Sequence, residues 1–181
     1  MLSVERVACN EPNVETINVI EAYREMKPTR KYRLAVGKLL STVPDDMLLG
    51  LGSIVLTDRA SLNSRRKIRV HGKMYRETDC QSFYHLATKK RKAWIELIVD
   101  NILGQRSRLL MLFTVEIERR LGRALYHEIS HHLDARCRRH GNREDAAEQF
   151  GLEQWRVFFQ TKYRLFVPIL RLILRAGRRL T

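Results

Sequence analysis

The run Phe113–Leu133, FTVEIERRLGRALYHEISHHL, constrains this chain more than any other stretch. Apolar residues at Val115, Ile117, Leu121 and Leu125 recur at helical spacing, which predicts a long helix with one face committed to a core. Its far end carries His127, Glu128 and His131 in an H-E-x-x-H pattern. Residues four apart share a helix face, so both imidazoles can address one metal ion. Glu128 lies about 100° round the helix from His127, close enough to take a proton from metal-bound water without ligating the metal. Ile129, Ser130 and the preceding Ala124-Leu125-Tyr126 are uncharged, so the helix can be buried at this point.

The rest of the chain supplies the scaffold. Residues 12–40 read as mostly helical, broken around Pro28-Thr29, with apolar residues three and four apart in Ile17–Met26 and Tyr32–Leu40. Val43-Pro44-Asp45-Asp46 reads as a cap before a short turn, Met47–Gly52. Gly52–Asp58, rich in β-branched residues, predicts a strand, and Ala93–Ile102 a second. Residues 59–73 read as a basic loop with a short strand around Ile68–Val70. From Arg106 the chain reads as helical, with a stop at His140-Gly141-Asn142. Strands clustered between helical segments predict an α+β fold rather than alternating α/β. Three parts follow: an N-terminal helical segment (1–43), a central domain (44–160) and a basic amphipathic C-terminal segment (161–181).

A tetrahedral site needs a third protein ligand. In the H-E-x-x-H-x-x-G-x-x-H branch, the glycine and third-histidine positions fall on Asp134 and Cys137, which excludes that branch in its usual form. The alternative is a glutamate from a following helix, and Glu144, Glu148 and Glu153 lie just beyond Gly141-Asn142. His131 stands about ten residues before that turn, roughly 15 Å along the axis. Glu148 returns roughly 9 Å and Glu144 only roughly 3 Å. Glu148 is therefore the preferred ligand. Glu144 becomes feasible if the first helix unwinds near Asp134, or serves to hold a ligand histidine.

On these residues, Leu125–Asp134 followed by Glu144–Gly151, the chain resembles small zincin-type metallopeptidases of the glutamate type, the minimal gluzincins. The second block matches in two ways. Lethal-factor-like small zincins place the ligand at Glu148, whereas thermolysin-like families place it at Glu144 with Glu148 in support. The resemblance covers about residues 44–160, and only its H-E-x-x-H block is highly specific. It implies a zincin-like fold with a small mixed sheet, a Zn2+ cofactor held by His127, His131 and Glu148 or Glu144, and hydrolysis of a peptide or protein substrate. Glu128 would be the general base acting on a metal-activated water. Trp94–Asp100 stands where such proteins carry a strand whose edge binds substrate, and Leu48–Asp58 would be an earlier strand. Ser130 replaces a frequent glycine, and Tyr163 and His140 are the candidates for stabilising the transition state.

Charge supports a second reading. With 34 Lys and Arg against 20 Asp and Glu the net charge is +14, which favours an anionic partner. Phe159, Tyr163, Phe166, Leu170, Ile173 and Leu174 share one side of the C-terminal segment, opposite Arg164, Arg171, Arg175 and Arg178. Pro168 should interrupt it. The expectation for this segment is a helix closing the core and ending in basic residues. The alternative is a non-enzymatic basic module that binds nucleic acid or an anionic membrane surface. Cys9, Cys80 and Cys137 form no C-x-x-C pair, no apolar run is long enough to span a membrane, and the first residues do not read as a signal peptide. A cytoplasmic setting is the expectation.

Overall fold

The computed structural model describes residues 17–28, 30–70, 73–104, 114–137 and 144–164. A strand, β1 (Asn18–Glu21), leads into helix α1 (Tyr32–Leu40), a single turn α2 (Asp45–Leu48) and strand β2 (Leu51–Thr57). A hairpin follows, β3 (Lys67–Val70) and β4 (Lys73–Arg76), then β5 (Ser82–His85) and β6 (Ala93–Ile98). Three helices complete the described chain: α3 (Val99–Leu103), α4 (Thr114–Arg136) and α5 (Glu144–Lys162). The fold is α+β, with a small mixed sheet in the order β1-β2-β6-β5 and the β3–β4 hairpin as a separate pair. The first three strands run parallel and β5 runs antiparallel to β6.

The core lies between this sheet and α4. Ile54 and Leu56 of β2 pair across to Ile95 and Leu97 of β6, and all four are fully buried. Leu121, Leu125 and Ile129 of α4 meet them, with Val36 and Leu39 of α1 closing the same cluster. Residues 17–43 thus give a strand and a helix to the common sheet and core.

Two expectations about local structure change. Ile17–Met26, read as helical, contains β1, because Asn18–Glu21 pairs in register with Ser53–Leu56. A short apolar run fits either period, and a partner 35 residues away decides between them. Ala93–Ile102, read as one strand, turns helical at Val99. Asp100 accepts the Arg59 N–H at 2.9 Å, and the Asn101 amide donates to the carbonyls of Thr78 and Cys80 at 2.7 and 2.6 Å. Those bonds need the backbone to coil there. Strands β4 and β5 were not anticipated. Residues 138–143 and 165–181, which include the Gly141-Asn142 turn and most of the basic segment, lie outside the described residues. No helix among the described residues is long and apolar enough to cross a membrane.

Asp58, just past β2, ties the N-terminal segment to the sheet. One carboxylate oxygen accepts the N–H groups of Arg24, Glu25 and Met26 at 3.0, 2.6 and 2.7 Å. The other accepts the N–H and hydroxyl of Ser61 at 3.2 and 2.6 Å. Burial alone would push its pKa up, since the residue is 1% exposed, but these bonds outweigh burial and hold it well below the usual carboxylate range. A lowered folded-state pKa contributes stability above the unfolded value of about 3.9 and loses it as pH falls through the folded value. Asp58→Ala should therefore lower the unfolding free energy by about 3 kcal/mol at neutral pH, because three part-buried backbone N–H groups and the Ser61 hydroxyl lose a charged acceptor. Urea unfolding at pH 7 and at about pH 3 checks this, the difference from wild type shrinking at the lower pH.

Candidate metal centre

Helix α4 presents two adjoining faces to two different neighbours. Glu128 and His132, four residues apart, face β5, whose alternate residues Ser82 and Tyr84 point back at them. The match is metric: two strand residues advance about 6.7 Å and four helical residues about 6 Å. The Ser82 hydroxyl donates to Glu128 Oε1 at 2.6 Å. Tyr84 Oη lies 3.1 Å from His132 Nδ1, and His132 Nε2 lies 3.0 Å from the Leu49 carbonyl. A carbonyl only accepts, so Nε2 carries the proton and Nδ1 accepts the Tyr84 hydroxyl. Burial lowers the His132 pKa and keeps this tautomer neutral. With both ring nitrogens engaged and the residue 1% exposed, His132 is a structural tie.

The other face, His127 and His131, meets the first residue of α5. His127 Nε2 and His131 Nε2 are 3.1 Å apart. Glu144 Oε2 lies 3.0 Å from His127 Nε2, and Glu144 Oε1 lies 3.5 Å from His131 Nε2. Ligand atoms of the three residues fall within 4.8 Å of one another, the one such group among the described residues. The spacing fits a metal: donors about 2.05 Å from a tetrahedral ion stand about 3.3 Å apart. Burial, followed by the neighbouring His131, lowers the His127 pKa and favours the neutral, ligating imidazole, while Glu144 acts in the opposite direction. The donor set of two imidazoles and one carboxylate suits zinc and other borderline divalent ions.

The order of the two glutamates expected from the sequence is reversed. Glu148 turns to Arg123, whose Nη2 donates to it at 2.6 Å, and its side chain is 60% exposed. Glu153 bonds Gln149 on the surface. The cause is the length of α4, which ends at Arg136, about 8 Å past His131 rather than roughly 15 Å. A shorter overhang brings the start of α5 back over the histidines, and Glu148 then falls one turn further, opposite Arg123. Glycine at 151 permits this close crossing. A Cβ there would stand 3.3 Å from the Arg123 carbonyl oxygen and 3.6 Å from the His127 nitrogen.

Glu128 sits beside the cluster, 5% exposed. Burial pushes its pKa up to about 7; the Ser82 hydrogen bond pulls it down and the Glu144 charge adds to the rise. Tyr163, one candidate for transition-state stabilisation, donates to Glu118 at 2.7 Å, nine residues before His127. That places it about 14 Å away along α4 and outside the cluster. His140 lies outside the described residues. The strand over the site is β5 and not Trp94–Asp100. Strand β6 is paired on both sides, so the open edge belongs to Ser82–His85. Sequence reasoning missed Ser82, whose only signal was the short β-prone run SFYH. Comparison with family models, curated proteins and solved structures returns no match.

Proposed function

We propose that this chain is a zinc-dependent metallopeptidase with a zincin-like site, in which His127, His131 and Glu144 hold the metal and Glu128 is the general base. The observation that carries the reading is the convergence of three ligand atoms from two helices at tetrahedral spacing, with a buried carboxylate on the adjoining face. A zinc ion held there would lower the pKa of a water molecule and polarise the scissile carbonyl. Glu128 would accept a proton from that water and deliver it to the leaving amine. Ser82 fixes one carboxylate oxygen of Glu128 by its hydrogen bond and leaves the other for this transfer. The substrate would lie extended along the open edge of β5, adding a strand to the sheet.

The test is hydrolysis of an unfolded protein such as reduced, alkylated casein by the zinc-loaded full chain. Cleavage should stop on chelation and return when zinc is restored. A chain that keeps zinc yet cleaves neither casein nor a diverse peptide library would contradict the reading.

A further inference from the structure

A cavity of about 520 Å³ opens beside the metal centre, with His127 and Glu128 in its wall. Three arginines of α4, Arg119, Arg120 and Arg123, line it, and the first two hold to fixed supports. Arg119 binds Glu116 through Nε and Nη2, both at 2.7 Å. Arg120 binds Glu116 through Nε and the Leu103 carbonyl through Nη1, again at 2.7 Å. These supports orient the guanidinium groups without exhausting them, since each carries five N–H donors. Nη1 of Arg119, Nη2 of Arg120 and Nη1 of Arg123 make no hydrogen bond to another described residue. Among the described residues Arg123 is held by Glu148 alone, whose exposed side chain an incoming anion can displace at little cost, because exposed ion pairs contribute little. Much of the remaining wall is Ile102, Ala124 and Gly151, which supply no competing charge.

We propose that this cavity binds a carboxylate of the substrate next to the scissile bond, either an acidic side chain or a free C-terminus. The inference rests on the peptidase reading of the adjoining site and supplies its substrate class. Planar guanidinium groups match a carboxylate in two parallel hydrogen bonds, and their placement on one rigid helix holds that geometry ready. A nucleic-acid strand fits less well. The lining described for the cavity contains no Phe, Tyr or Trp ring on which a base could stack.

The experiment uses the full chain, zinc-loaded, as wild type and as Glu128→Gln to prevent turnover. The probes are matched unstructured decapeptide libraries carrying Asp or Glu against Asn or Gln at a central position, each with a free or an amidated C-terminus. Fluorescence anisotropy on Glu128→Gln, with and without zinc, should show the carboxylate peptides bound at least about 10-fold more tightly. The preference should collapse in Arg123→Gln and in Arg119→Gln while Arg123→Lys retains part of it. Preference for the central acid or for the free terminus identifies which carboxylate is read, and either supports the proposal. Equal binding, or a preference that survives both glutamine substitutions, overturns it. Displacement of the peptides by a short single-stranded oligonucleotide, lost in the same variants, overturns it in favour of phosphate. Cleavage of acidic and neutral libraries alike by wild type removes the carboxylate pocket and leaves the peptidase reading standing. Carboxylate preference without cleavage does the reverse.

Discussion

Glu144→Gln should lower the zinc affinity of the full chain by at least about 100-fold, while Glu148→Gln should leave it within a few-fold of wild type. Removing a group that merely supports a ligand already costs about 10–100-fold, so losing the ligand itself costs no less. Glu144 reaches both histidines, at 3.0 and 3.5 Å, whereas Glu148 is spent on Arg123. The amide that replaces the Glu144 carboxylate keeps its shape but offers a neutral oxygen in place of a charged one. Competition against a chromogenic zinc chelator measures both constants. Equal losses in the two variants would mean that Glu148 contributes to the centre, which is the arrangement the sequence favoured.

Glu128→Gln should abolish hydrolysis and keep the metal. General-base catalysis is worth about 10²–10⁴-fold, and an amide cannot take the proton. Glu128 does not belong to the three-residue cluster, and its described partner is the Ser82 hydroxyl, to which a glutamine oxygen can still bond. The substitution also replaces a carboxyl group whose burial disfavours its charge, so the folded state should lose little stability. Zinc content, thermal unfolding and peptide turnover, measured on the same preparation, separate the three effects. Turnover within about 10-fold of wild type would remove Glu128 from the role of base.

Much of this arrangement was legible in the residues, and the misses share a cause. The long helix, its His-Glu-x-x-His face and α1 follow from periodicity, because local spacing fixes which side chains share a face, and β2 follows from its β-branched residues. The choice between Glu144 and Glu148 was not local. It depends on where α4 stops, and a difference of a few residues moves the start of α5 by a full turn along the histidines. β1 and β5 were missed for a related reason. Each is four residues long, too short for alternation to be read, and each is held by pairing with a distant strand. Asp58 likewise looked like the end of a strand, and its five hydrogen bonds reach residues more than thirty positions away as well as Ser61. The three cavity arginines carry no local signal of a site, since only the crossing of α5 and the start of β5 make their face concave.

If His127, His131 and Glu144 form a metal centre, elemental analysis of the full chain will register the ion. The chain should be purified without metal-affinity resin, supplied with zinc and dialysed exhaustively. About one zinc ion per chain should be retained in wild type and none in the His127→Ala and His131→Ala variants. A wild-type chain that retains no zinc, or a His127→Ala/His131→Ala double variant that retains as much as wild type, would contradict the metal centre.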